Sequence, residues 1–133
     1  IRQYTIQADG TFKATVLAEI QDEMCRFLVA GDIDGDGQIE MVAAAKKSGL
    51  WLLENSGDGT WTTTNIDADS SGFEHVAKMA DIDGDGQVEL YVAADDQRTL
   101  SRYSWNAETS DFDKTTLGDL PSGFTWNLEA GKL

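Results

Sequence analysis

The sequence holds one cysteine, one proline and one histidine in 133 residues, and only 10 Lys plus Arg. Cys25 alone cannot close an internal disulfide, and it gives no reading of the redox compartment. Ten cations against 24 Asp plus Glu leave a net charge of −14. That balance disfavours nucleic acid, whose phosphates are held by clustered Lys and Arg, and docking on an anionic membrane surface. No apolar run approaches the roughly 18 to 20 residues that a transmembrane helix requires. Ile1 opens neither a charged n-region nor an apolar h-region, so no signal peptide is read there. A start on Ile rather than Met suggests a processed chain or a piece of a longer one. No segment carries a helical apolar stripe. With 41% hydrophobic and 26% charged residues, the composition fits one globular domain of ordinary size.

What the chain does have is repetition. Asp32-Ile33-Asp34-Gly35-Asp36-Gly37-Gln38-Ile39-Glu40 returns 49 positions later as Asp81-Ile82-Asp83-Gly84-Asp85-Gly86-Gln87-Val88-Glu89. The same offset carries Asp9-Gly10-Thr11-Phe12 onto Asp58-Gly59-Thr60-Trp61, and Ser71-Gly72-Phe73 recurs at Ser122-Gly123-Phe124 with a spacing of 51. Three landmarks on nearly one period define a tandem repeat. Within it, Ile39 to Ala45 and Val88 to Ala94 are short apolar runs after a Gly-rich loop. Gly49 to Glu54 reads as a strand buried on both faces, Asp58-Gly59 as a hairpin turn, and Thr60 to Ile66 as a strand rich in Thr and Trp. Phe73 to Ala80 leads into the second Asp loop as a further strand.

Four antiparallel strands in about 49 residues predict a blade of a β-propeller, so the fold class is all-β. The expected division is 1–22 as the last two strands of a blade, 23–70 and 71–120 as complete blades, and 121–133 as the first strand of another. Two blades and two pieces do not close a ring, since propellers use four or more. The remaining blades are therefore expected from the same longer chain or from self-association.

Asp32, Asp34 and Asp36 alternate along the first loop, as do Asp81, Asp83 and Asp85 along the second. Carboxylates clustered so tightly repel one another unless a cation neutralises them. The interspersed glycines let the loop curl so that alternate side chains converge. Gln38 or Gln87, at position seven, is expected to offer its backbone carbonyl, and Glu40 or Glu89, at position nine, its carboxylate. With water, these oxygens supply the six to eight hard ligands that Ca²⁺ prefers, whereas Mg²⁺ demands a tighter octahedron. Neither loop holds Cys or His, which argues against zinc and softer metals. An EF-hand starts the same way but needs a Glu at position twelve and flanking helices. Position twelve is Ala43 or Val92, and both flanks read as strand. Two Ca²⁺ sites are the expectation.

The Asp-Ile-Asp-Gly-Asp-Gly loop and the Leu50-Trp51-Leu52-Leu53-Glu54-Asn55-Ser56-Gly57-Asp58-Gly59-Thr60-Trp61 segment resemble the FG-GAP or VCBS-type repeat of calcium-binding propellers, including the integrin α-subunit head. The resemblance implies that the loop joins the first and second strands of each blade. Many loops of that family carry Asp at position nine, where this chain has Glu40 and Glu89. Lys132 falls near the first-ligand position of a third junction, so no third site is expected.

Other residues read more plainly as structure. His75 is expected to pack or face solvent, with no Ser or Cys nucleophile tied to it in the sequence. Cys25 reads as a small core residue, and Trp51 and Trp61 as blade packing. Trp105 and Trp126 have no counterpart in the other copies and leave room for carbohydrate stacking. With no nucleophile–base pair or phosphate loop in view, catalysis in this chain is not expected. The reading is a calcium-binding propeller module of an exported protein, extracellular, at the cell surface or periplasmic, serving adhesion or the binding of a glycan or protein. The alternative is a non-catalytic propeller segment of a secreted carbohydrate-active enzyme of polysaccharide lyase or sugar dehydratase type. Export follows from metal supply, because weak Ca²⁺ sites fill at the millimolar concentrations outside cells.

Overall fold

Short apolar runs cut by Asp-Gly and Ser-Gly turns cannot bury themselves singly, so they pair with their chain neighbours as antiparallel strands. A computed structural model describes residues 1–131. Among them the first hairpin joins β1 (Arg2–Ile6) to β2 (Phe12–Val16). The first four-stranded sheet runs β3 (Cys25–Gly31), β4 (Glu40–Ala45), β5 (Gly49–Asn55) and β6 (Trp61–Asp67) in spatial order. The second repeats this order with β7 (Val76–Ala80), β8 (Glu89–Ala94), β9 (Thr99–Asn106) and β10 (Asp111–Asp119). Every pairing is antiparallel, and the described residues contain no helix. The protein is all-β, built as part of a propeller with two four-stranded blades and a two-stranded sheet.

The blades stack face to face. Val42, Ala44, Leu50 and Leu52 of the first sheet bury against Ala77, Leu90, Val92 and Tyr103 of the second, with Ile33 sealed among them. The opposite face of the first sheet packs Leu53, Ala43, Trp51 and Trp61 beneath Ala18, Ile1 and Ile20. Strands β4 and β8 thus bury both faces, which is why they read as continuous apolar runs rather than alternating ones. The first strands β3 and β7 lie side by side, as strands lining a common axis do.

Two boundaries differ from the sequence expectation. Strand β7 starts at Val76 rather than Phe73, because its ladder begins at the Val76–Ala93 pair and Glu74 and His75 turn into the neighbouring blade instead. Residues 121–131 carry no strand, since no partner strand lies beside them and a strand exists only through its ladder. The end of that segment, with Lys132, lies outside the described residues.

Candidate metal centre

Each Asp loop bridges the first and second strands of a blade, β3 to β4 and β7 to β8, and strands flank both loops. That arrangement removes the EF-hand, which is built on helices. In the first loop Asp32 accepts the N–H of Gly35 at 2.9 Å and of Gly37 at 3.1 Å. Asp34 accepts from Asp36 N at 3.0 Å, and Asp36 from Gln38 N at 2.7 Å. Gly37 adopts φ 87°, a conformation a side chain would resist, and this bends the loop inward. The second loop repeats the bonds: Gly84 and Gly86 to Asp81, Asp85 to Asp83, and Gln87 to Asp85.

The two loops diverge at position nine. One carboxylate oxygen from each of Asp32, Asp34, Asp36 and Glu40 lies within 4.8 Å of the others. In the second loop Asp81, Asp83 and Asp85 meet that limit, and Glu89 is not among them. Glu89 is buried and accepts the hydroxyl of Tyr91 at 3.0 Å. Tyr91 replaces Val42 of the first copy and sits two residues along the same face of the strand, so its hydroxyl reaches the carboxylate. Burial first, and Glu89 second, push the Tyr91 phenol up to about 12. Asp83 also accepts a long bond from Arg102 Nη1 at 3.5 Å.

Surroundings differ too. Ile33 of the first loop is fully buried between the blades, whereas its counterpart Ile82 is 48% exposed on the outer face of the second blade. Glu40 is buried like Ile33, whose N–H it accepts at 3.2 Å. Burial raises its carboxyl to about 7, and the charges of Asp34, Asp36 and Asp32 add to the rise. A cation among these oxygens would reverse that penalty. Gln38 and Gln87 close their loops through backbone N–H groups.

The family model described as FG-GAP-like repeat matches residues 32–92, from the first Asp of loop one into β8. Residues 32–92 thus resemble an FG-GAP-like repeat. No curated protein and no solved structure gives a significant match to the chain. The matched FG-GAP-like segment contains both acidic loops and the core of the first blade, so the repeat and the candidate centre coincide.

One constellation escaped the sequence reading. Ser70 Oγ lies 2.7 Å from His75 Nε2, so a serine is tied to the histidine after all, and His75 Nδ1 meets the Ala45 carbonyl at 2.8 Å. Both side chains are buried, which closes the pair to substrate and makes it a latch between the blades. The spacing of five residues gave no signal, because a turn rather than a strand or helix brings them together. Cys25, the first residue of β3, is partly buried against the Ala18–Ala43–Leu53 cluster, and burial raises its thiol. Trp105 stacks edge-on against Phe112, while Trp126 is exposed.

The latch predicts a pH dependence. Burial lowers His75 below its ordinary 6.5; the Ala45 bond and the charges of Asp67, Asp96 and Asp95 oppose this but are outweighed. The unfolded chain then binds a proton that the folded chain refuses, so stability falls as pH drops below about 6.5 and is flat above it. Urea midpoints between pH 7 and 5, at one fixed metal condition, should fall less steeply in His75→Asn than in the wild type. Equal slopes would show that the histidine is not held neutral.

Proposed function

We propose that the chain is a calcium-binding β-propeller module of an exported protein, working in adhesion or in recognition of a glycan or protein. The observation that carries this reading is the convergence of Asp32, Asp34, Asp36 and Glu40 within 4.8 Å, four hard oxygen donors with no nitrogen or sulfur among them. Such a donor set, completed by the Gln38 carbonyl and water, fits Ca²⁺ better than the strict octahedron of Mg²⁺. A bound Ca²⁺ would supply charge neutralisation, and the loop carboxylates would then fix the β3–β4 connection. Asp81, Asp83, Asp85, Gln87 and Glu89 are the second centre, with Glu89 recruited only once it leaves Tyr91. An exposed aromatic row, Phe73, Phe124 and Trp126, with ring centroids 6.0 and 6.3 Å apart, supports a ligand-contact role. The charge of −14 disfavours nucleic acid as the partner.

Competition for Ca²⁺ against a chromophoric chelator tests the reading. Two sites of unequal affinity are expected, little displaced by excess Mg²⁺. Replacing Tyr91 with Phe removes the hydroxyl that holds Glu89, and the weaker site should tighten by about tenfold, the worth of one hydrogen bond to a charged group. An unchanged weaker site in Tyr91→Phe would show that Glu89 takes no part. Absence of competition in the wild type would remove the calcium assignment altogether.

A further inference from the structure

We infer that a cation in the first loop controls how firmly the second blade is seated on the first, with Ile33 as the link between the metal site and the seam. The link rests on the calcium reading of that loop, but the two fail by different outcomes. Both sides of the seam are four-stranded sheets of this chain, so the seam lies wholly within it.

The loop divides its side chains between two surroundings. Asp32 and Asp34 bring carboxylate oxygens to the cluster with Asp36 and Glu40. Ile33, between them in sequence, is fully buried in the seam among Leu50, Leu52, Leu90 and Val92. Its backbone N–H is held at 3.2 Å by Glu40, itself one of the four carboxylates. Site and seam therefore meet at a single residue. The chain just before the loop also lies against the second blade: a Cβ on Gly31 would stand 3.1 Å from Met79 Sδ and 3.8 Å from Val88 Cγ1. Asp32 is thus flanked on both sides by residues pressed against that blade.

Four carboxylates whose oxygens lie within 4.8 Å repel one another, and moving Asp32 and Asp34 apart relieves the repulsion. Because Ile33 joins them, that movement pulls its side chain from the seam and uncovers apolar surface on both blades. A cation among the oxygens removes the repulsion and keeps Ile33 seated. Binding and seating then favour each other, and linkage makes the effect equal in both directions. The second loop has no such hold on this seam, because Ile82 lies on the outer face of its blade.

Two bonds across the seam give readouts away from the loops. The buried Gly72 N–H is donated to the Lys46 carbonyl at 3.0 Å, and the Tyr103 hydroxyl to Asp67 at 2.6 Å. Gly72 amide exchange, followed by NMR, reads the seam directly. Calcium affinity is read in an Asp83→Ala background, which leaves only the first loop to bind.

In the wild type, excess Ca²⁺ should slow Gly72 exchange by about tenfold relative to chelator. Ile33→Ala should weaken the first site by about fivefold or more, although it removes no ligand. Ile33→Val replaces it if the alanine variant loses the circular dichroism of the wild type. Ile39→Ala is the control: Ile39 belongs to the same loop but is 51% exposed outside the seam, and the site should keep its affinity. Tyr103→Phe changes no loop atom, yet it should speed Gly72 exchange in chelator and weaken the first site. Calcium binding with Gly72 exchange equal in chelator and Ca²⁺, or with unchanged affinity in the Ile33 variant, would overturn the link and leave the calcium assignment standing. Unchanged affinity in Tyr103→Phe despite faster exchange would overturn it as well. No binding of Ca²⁺ at all would remove the assignment and the link together.

Discussion

Adding about 1 mM Ca²⁺ to the chelated protein should raise its melting temperature by roughly 10 °C, and most of the rise should come from the first loop. If that loop binds with a dissociation constant of ~10 μM, about 1 mM free ion stabilises the fold by about 2.7 kcal/mol. For a chain of this length that gain converts to roughly 10 °C. The first loop has four carboxylates already converged, a buried Glu40 raised to about 7, and a neighbouring blade over Ile33. The second has three exposed aspartates and a glutamate held by Tyr91. Asp34→Ala should therefore abolish most of the calcium-dependent rise, and Asp83→Ala only a minor part. In chelator both variants should melt at or above the wild-type temperature, because each removes one of several mutually repelling charges. Equal losses in the two variants would mean that the loops fill alike and that Tyr91 releases Glu89 at no measurable cost.

Replacing Gly49 with Ala should destabilise the protein by about 3 kcal/mol or more, a large effect for a single substitution. Gly49 opens β5 at φ 94°, where an L side chain is strained by about 1 to 2 kcal/mol. A Cβ there would also stand 2.0 Å from the Asp67 carbonyl oxygen and 2.8 Å from the Ala68 Cα, both backbone atoms. The end of β6 would have to move. It carries Asp67, which accepts the Tyr103 hydroxyl at 2.6 Å and the Lys114 ammonium at 2.7 Å, so the shift spreads across the blade interface. Gly59→Ala is the control: its φ of 90° imposes the same strain, but nothing lies within 4 Å of the added carbon. Urea midpoints should show Gly59→Ala losing no more than the strain, and Gly49→Ala losing clearly more. Equal losses would show that β6 yields to the added methyl.

The repeat, the strands and the loops were legible because each rests on local chemistry. Alternating Asp with Gly can be read directly as a curled acidic loop, and the apolar runs after it as strands buried on two faces. What the sequence hid lies in contacts made by side chains. Two loops identical at eight of nine positions look equivalent, yet the deciding residue is Tyr91, two positions beyond the motif. The change from Val42 to Tyr91 between aligned copies was the available signal. Ser70 and His75 met through a turn that carries no periodicity. Residues 121–131 have the composition of a strand, but composition cannot supply the ladder partner that makes one.

Calorimetric titration of the chelated wild-type chain with Ca²⁺ tests the central claim most directly. Two binding events of unequal affinity are predicted, the tighter one lost in Asp34→Ala and the weaker one lost in Asp83→Ala. A single event that survives both substitutions, or no heat of binding up to millimolar Ca²⁺, would contradict the account.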